Sequence, residues 1–573
     1  MRKKITAIFA SILISLSFVS LFPVSAENAI ANFPYATGGL LSPIYETSSS
    51  ATNNELNTTS DLPSRIDLST DLAFPCIGNQ GSIGSCTAWA TTYYQFTYEV
   101  NKLKGTAAKE MVNNEYVNIE ENVYSPTWTY NLINGGGNNG TFDGDAYRVL
   151  TYQGAMTLAD MPYDASNYDF DEWSSNISKL TEALEYRINK GNVSSLNSAK
   201  EKLADGHTLV VWTNSFGWAE ANNSDGQRFI VRCGNVTDSN GNLGGHFMTI
   251  VGYDDEIEIT VNGITLTGAF KVANSWGDNW GNDGYIWVSY DAINSTSEFT
   301  GWETGFNGSR TSVFGGYNFR YVTAYHCDVT FAGYVEYTST QKYDIAIYAA
   351  DSSSVSKSNS YKKWDCAIGN SKTVSSYTTP PKILVFDFFA PGTTVNVGDY
   401  MTSNWTILLN DTSTSGTETI SMRTRVIDNF GNMIAPNTYN YTNLSNGELS
   451  ITMPVNLAKG RVTAYDNSAI TSEDSQMILN FITRKIDLSN VQRYLADYNN
   501  DGNISLTDVT AMNSAIAAQN GETYVITDYI DEWGCSLADV IEEEYNMPIE
   551  QYVAENYAEL SAMNAVPSEL ELY

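Results

Sequence analysis

Positive charge is scarce in this chain. Its 573 residues hold 31 Lys and Arg against 65 Asp and Glu, a formal charge of −34, or −37 once Arg2, Lys3 and Lys4 of a leader are removed. So acidic a surface disfavours nucleic acid and anionic lipid as partners. Cysteine is also sparse, with six positions: Cys76, Cys86, Cys233, Cys327, Cys366 and Cys535. Disulfides are therefore not the main support of the fold. If one thiol is kept free the other five cannot all pair, and Cys327 with Cys366 is the bridge the spacing leaves open. Long apolar runs are missing after Leu21, so no later segment is predicted to span a membrane. The one apolar run, Ile5 to Leu21, follows three basic residues and ends at Val24-Ser25-Ala26, the pattern of a secretory signal over 1–26. The expected location is secreted and extracellular. Histidine is rarest of all: His207, His246 and His326 make a short list of bases.

Hydrophobic residues make up 42% of the chain, enough for packed cores, and the length implies several of them. Residues 27–60 read as a short N-terminal arm whose second part, 46–60, is a Ser/Thr/Asn linker. Residues 61–298 mix helical and strand patterns. Residues 299–484 alternate strictly in Tyr343-Ile345-Ile347, Ile420-Met422-Thr424-Val426 and Leu449-Ile451-Met453, and Lys382 to Phe389 reads as a buried strand. That texture predicts an all-β, sandwich-like region. Residues 485–573 turn helical and acidic.

The chemistry concentrates around Cys86. It follows Gly84-Ser85 and opens a run in which Trp89, Tyr93, Phe96, Val100 and Leu103 fall on helical spacing. A thiol at a helix N-terminus feels unpaired N–H groups and the positive end of the dipole, both of which favour the thiolate. Its base must come from the three histidines. His246 stands 160 residues downstream in Gly244-Gly245-His246-Phe247-Met248-Thr249-Ile250, glycines before it and a buried-strand pattern after it. His207 follows the turn Asp205-Gly206, and His326 lies in the β region. Asn274-Ser275-Trp276 supplies an amide to orient the imidazole and an indole to shield that bond from water.

With Gln80, Cys86, His246 and Asn274-Ser275-Trp276 in this order, residues 62–290 resemble the papain family of cysteine peptidases. Leu62-Pro63-Ser64-Arg65-Ile66-Asp67 resembles the mature start of such enzymes, and Ser125-Pro126 and Tyr163 also sit in family order. The resemblance implies an α+β, two-lobed peptidase domain hydrolysing peptide bonds without a cofactor. It assigns Cys86 as nucleophile, His246 as base and later acid, Asn274 as its orienting group and Trp276 as the shield. Gln80 with the Cys86 N–H forms the oxyanion hole. It also implies a resting thiolate–imidazolium pair. Three residues depart from the pattern: Ile83 where relatives carry a disulfide cysteine, Thr87 in place of an aromatic, and Phe247 where a small residue is usual. Phe247 would narrow the cleft. The arm is shorter than the usual inhibitory pro-segment, so either activation is simple or the arm itself covers the cleft.

A second motif lies at Asp497-Tyr498-Asn499-Asn500-Asp501-Gly502-Asn503-Ile504-Ser505-Leu506-Thr507-Asp508. Oxygen side chains at Asp497, Asn499, Asp501, Ser505 and Asp508, the carbonyl of Asn503 and the glycine at the sharp turn suit calcium. Leu506, Val509, Met512 and Ile516 give the following helix an apolar stripe. With Asp at the last ligand position, the loop resembles a dockerin, a small helical calcium-binding module. The resemblance implies a cohesin module of a scaffoldin as partner, faced by Leu506 and Thr507. A weaker second repeat runs from Asp528 to Asp539. The sequence therefore reads as a secreted, scaffold- or cell-surface-associated cysteine endopeptidase acting on a protein or peptide substrate. Two rival readings remain: a catalytically silent papain-like module that holds a peptide or partner, and a β region that binds carbohydrate through its aromatics.

Overall fold

The computed structural model describes residues 35–40, 62–170, 172–234, 236–293, 318–339, 343–351, 361–368, 382–389, 393–411, 418–435, 438–444 and 448–522. The signal, the linker and the second acidic repeat lie outside them. No described helix is long and apolar enough to cross a membrane.

A helix running from Cys86 to Lys104 forms the spine of the first lobe. It begins as Cys86–Ala88, widens into a π-helical stretch Trp89–Phe96 and ends as Thr97–Lys104, where Gly105 adopts a φ of 68°. That left-handed stop favours glycine, which has no Cβ to clash. The helix is buried on every side from Cys86 to Asn101, so it is more than amphipathic. Its polar positions are therefore obliged to find partners. Gln95 donates to the carbonyls of Thr208 and Arg320 and accepts from Tyr147, which ties the helix to the second lobe. The predicted apolar face holds as far as Val100, but Leu103 is 49% exposed because the helix leaves the core one turn before its end.

The second lobe is a nine-stranded sheet. Its order runs Tyr186–Val193, Phe319–His326, Leu209–Asn214, Gly245–Val261, Ile264–Ala273, Tyr285–Ser289, Arg228–Cys233 and Trp218–Asn222, with Arg65–Asp67 pairing on Gly245–Val261. Every residue of Leu209–Asn214 is buried, as a continuous apolar run predicts for a central strand. Two registers fix the site. His246 lies opposite Thr213, and Thr249 lies opposite Ala273, so the turn after Ala273 falls beside His246.

The strand Phe319–His326 corrects the expected boundary at 298/299. It pairs along its whole length with Tyr186–Val193, so His326 ends a strand of this nine-stranded sheet and not of the β region. Beyond it lie two four-stranded antiparallel sheets, one ordered Lys382–Asp387, Ala332–Ser339, Glu418–Ile427, Thr438–Leu444 and the other Tyr361–Ile368, Tyr343–Asp351, Thr402–Asp411, Glu448–Asn456. Buried side chains of both, Val335 and Phe386 from one and Trp405 and Met453 from the other, share one apolar cluster. Arg187, 1% exposed, donates to Asp387 at 2.6 Å and to Cys327 Sγ at 2.9 Å, joining the nine-stranded sheet to the first of these sheets. Cys327 is a free thiol, which removes the proposed bridge to Cys366; its sulfur is held by the guanidinium instead. Helix formation resumes at Ser472–Ile482, earlier than residue 485, and that helix packs with Asn490–Ala496 and Leu506–Gln519 on the same cluster.

Candidate active site

The loop carrying Gln80 and the turn carrying Asn274-Ser275-Trp276 are stitched together. The Gln80 N–H donates to Ser275 O at 2.8 Å and the Gly277 N–H to Gly78 O at 3.0 Å, while Tyr94 of the helix donates to Asn274 O at 2.7 Å. The sheet register brings His246 to this junction. Its Nε2 lies 2.7 Å from Asn274 Oδ1. The Ser275 N–H also donates to Asn274 Oδ1, at 2.8 Å, which fixes that atom as an acceptor. Nε2 must therefore carry the imidazole proton, leaving the lone pair on Nδ1. Nδ1 is buried and has no hydrogen-bond partner. Trp276 stacks on the imidazole at 4.5 Å, and Trp218 meets it edge-on at 6.1 Å. Water is thus kept from the His246–Asn274 bond.

Cys86 sits at the helix N-terminus with its thiol against the backbone N–H groups of Phe247, Thr87 and Gly38. Gln80 is fully buried; its Oε1 accepts from Ser275 Oγ at 2.6 Å, which turns its Nε2 toward the cleft. Cys86, His246, Asn274, Gln80 and Trp276 are all brought to one place. Ser275 as the group that orients Gln80, and Trp218 as a second wall on the imidazole, were not picked out from sequence. Ser275 lay inside a motif already noted. Trp218 has no local signal, because it reaches the site only through the pairing of its strand with Arg228–Cys233.

The cleft is filled by the chain's own arm. Gln80 Nε2 and Trp276 Nε1 both donate to Ala36 O, at 3.2 and 3.0 Å. The Gly38 N–H donates to Gly245 O at 3.0 Å, Gly38 O accepts from the Thr141 N–H at 2.8 Å, and Gly39 O accepts from Trp212 Nε1 at 3.0 Å. Tyr35 stacks on Trp276 at 4.5 Å, and Gly39–Leu40 pairs parallel with Thr141–Phe142. Of the two expectations for the arm, covering the cleft is the one observed.

The burial of both groups opposes the expected thiolate–imidazolium pair. Burial pushes the Cys86 thiol up to about 11 and the His246 imidazole down to about 4. A helix terminus contributes about 0.3–1 kcal/mol at ordinary sites and about 2 at best. Desolvation is the largest cause at Cys86 and outweighs the N–H groups that favour the thiolate.

The other histidine of this lobe is used elsewhere: His207 Nδ1 lies 3.0 Å from the buried carboxylate of Glu99. In the C-terminal loop the backbone closes on Asp508, whose carboxylate accepts from the N–H groups of Tyr498, Asn499 and Ser505. Burial, with Asp501 nearby, raises Asp508 to about 6. Among the described residues no group of three His, Cys, Asp or Glu side chains is placed to hold a metal. Leu506 is fully buried and Thr507 is 6% exposed, so neither faces outward as expected for partner binding; the apolar stripe that begins at Leu506 points into the core.

A buried thiol at a helix N-terminus, an imidazole held through Nε2 by an amide, and a glutamine amide turned toward the cleft are the groups brought together here. Residues 62–300 match the family model of papain family cysteine protease. The chain is 28% identical over 213 residues to Cysteine protease 1 of Oryza sativa subsp. japonica, and the match spans 37% of each protein. Among solved structures it is similar to xylellain, a cysteine protease from Xylella fastidiosa, with a TM-score of 0.34 and 22% identity over 50% of this chain and 95% of that one. It is also similar to digestive procathepsin L 3 of Tenebrio molitor, with a TM-score of 0.31 and 16% identity over 46% of this chain and 71% of the other.

Proposed function

We propose that the protein is a secreted cysteine endopeptidase held latent by residues 35–40. The observation that carries this reading is the binding of an extended peptide, the arm, by Gln80 Nε2, Trp276 Nε1 and Gly245 O directly over Cys86. When the arm withdraws, water re-enters and His246 Nδ1 accepts the Cys86 proton. The thiolate attacks a substrate carbonyl carbon, and the resulting oxyanion is received by Gln80 Nε2–H and the Cys86 N–H. His246 gives its proton to the departing amine, leaving an acyl-enzyme. Water then attacks the thioester, with His246 taking and returning the proton, and releases the carboxylic acid and free thiol. Cys86→Ala should abolish hydrolysis of casein while leaving the thermal transition in place; surviving turnover would falsify this assignment.

The export pattern of residues 1–26 supports secretion. The loop at 497–508 supports calcium-dependent docking to a cohesin module of a scaffoldin. Its donor set is all oxygen, and Asp497 Oδ1, at the first ligand position, is buried with no hydrogen-bond partner. Asp497, Asn499, Asp501, Ser505 and Asp508, with the Asn503 carbonyl, are the residues that would hold the ion. Cohesin capture that persists unchanged in excess chelator would refute the docking reading.

The silent-module reading has one observation in its favour, the full burial of Cys86 beneath a peptide. Labelling separates the two: an epoxysuccinyl thiol-protease inhibitor should modify Cys86 once the arm is displaced, and should not if the site is inert.

A further inference from the structure

We infer that the cleft over Cys86 is a slot selective for glycine, and that the preferred substrates carry a Gly-Gly pair at the cleaved region. This rests on the peptidase reading. The arm crosses the thiol as Gly38-Gly39, and the walls there leave no room for more. A Cβ on Gly38 would stand 2.1 Å from the carbonyl oxygen of Gly84, and one on Gly39 would stand 2.7 Å from Cδ2 of Phe247. The walls are themselves pared back to admit a bare backbone. A Cβ on Gly140 would meet Gly38 O at 2.4 Å, and one on Gly245 would meet Gly39 O at 1.9 Å.

The two walls differ in kind. Gly84 presents main chain, which cannot rotate away. Phe247 presents a ring, 1% exposed, packed with Trp212 and Ala90 beside the thiol. Glycine is therefore imposed rigidly at the position facing Gly84, and at the position facing Phe247 chiefly through that ring, with the backbone nitrogen of His246 3.1 Å from the added Cβ. The residue noted in the sequence as narrowing the cleft is the one that sets the second restriction.

The test uses the full chain with Gly38→Leu, in which the clash with Gly84 expels the arm; Gly39→Leu serves as an independent second way to expel it. Quenched peptides of one scaffold carry Gly-Gly, Gly-Leu, Leu-Gly or Leu-Leu. We expect kcat/KM for the Gly-Gly peptide to exceed that for Leu-Leu by at least fiftyfold. Adding Phe247→Ala should recover one of the two mixed peptides to within about fivefold of Gly-Gly and leave the other poor, because only one wall has been removed. Gly-Gly turnover in that variant reports that its site is still folded. Equal turnover of all four peptides would overturn the slot while leaving the peptidase reading intact. No turnover of any peptide, with the Gly-Gly peptide alone protecting Cys86 from iodoacetamide, would overturn the peptidase reading and uphold the slot.

Discussion

Expelling the arm should expose Cys86, and Gly38→Leu is the substitution that does it with least disturbance of the domain itself. Five hydrogen bonds, from Gln80, Trp276, Trp212, Thr141 and Gly38, hold the segment. Each contributes about 0.5–1.5 kcal/mol net. Stacking of Tyr35 on Trp276 adds about 0.5–1.5 kcal/mol. Ordering the backbone costs about 1–2 kcal/mol per residue, which offsets these gains. A Cβ placed 2.1 Å from a backbone oxygen cannot be relieved by rotation, and overpacking of this kind costs about 1–3 kcal/mol or more. At 1.4 kcal/mol per factor of ten, the open population should rise between roughly fivefold and a hundredfold or more. The assay is the rate of Cys86 alkylation by iodoacetamide at pH 8, read by mass spectrometry of the Cys86 peptide. An unchanged rate, with the thermal transition also unchanged, would refute the claim that residues 35–40 close the site.

Four further outcomes follow from the same geometry. Closure should be strongest between about pH 6.5 and 9: His246 is depressed to about 4, so its contribution is present above its ordinary value and is lost as pH falls. Cys86 is raised to about 11, so its contribution is present below its ordinary value and is lost as pH rises. Cleavage of the arm by an added acid protease should therefore accelerate from pH 6 to pH 4 beyond that protease's own profile, and a flat ratio would count against the link. Ser275→Ala should lower kcat about tenfold with little change in KM, because the Gln80 amide loses the partner that orients it, whereas Gln80→Ala should cost roughly a hundred- to thousandfold. Arg187→Ala should destabilise by about 3–5 kcal/mol in denaturant titration by leaving Asp387 buried and unpaired; a loss under about 1 kcal/mol would contradict the weld between sheets. Replacing Asp497 and Asp501 together by Ala should erase any calcium-dependent gain in melting temperature, and an undiminished gain would place the ion elsewhere.

The catalytic groups were legible because each sits in a short motif whose spacing carries its own structural reason. Cys86 opens a helix, His246 opens a buried strand, and Asn274 follows one. What could not be read was set by tertiary placement. Phe319–His326 alternates like the strands that follow it, yet eight consecutive pairings attach it to Tyr186–Val193. Cys86 and His246 are both fully buried with a peptide lying over the cleft, and no local pattern near residue 86 reports that cover. Leu506 was asked to serve both the apolar stripe and the partner face; its complete burial gives it to the core. The role of Gly38-Gly39 could not be read from the sequence, because it depends on walls contributed by Gly84, Gly140, Gly245 and Phe247, which are scattered along the chain.

Intact-mass analysis of the full chain carrying Gly38→Leu, after treatment with an epoxysuccinyl thiol-protease inhibitor, tests the assignment of Cys86 and His246 most directly. One adduct is expected, on Cys86, absent in the added Cys86→Ala and slowed at least a hundredfold in the added His246→Ala. Adduct formation on Cys76, Cys233 or Cys327 in place of Cys86, or at an undiminished rate without His246, would contradict it.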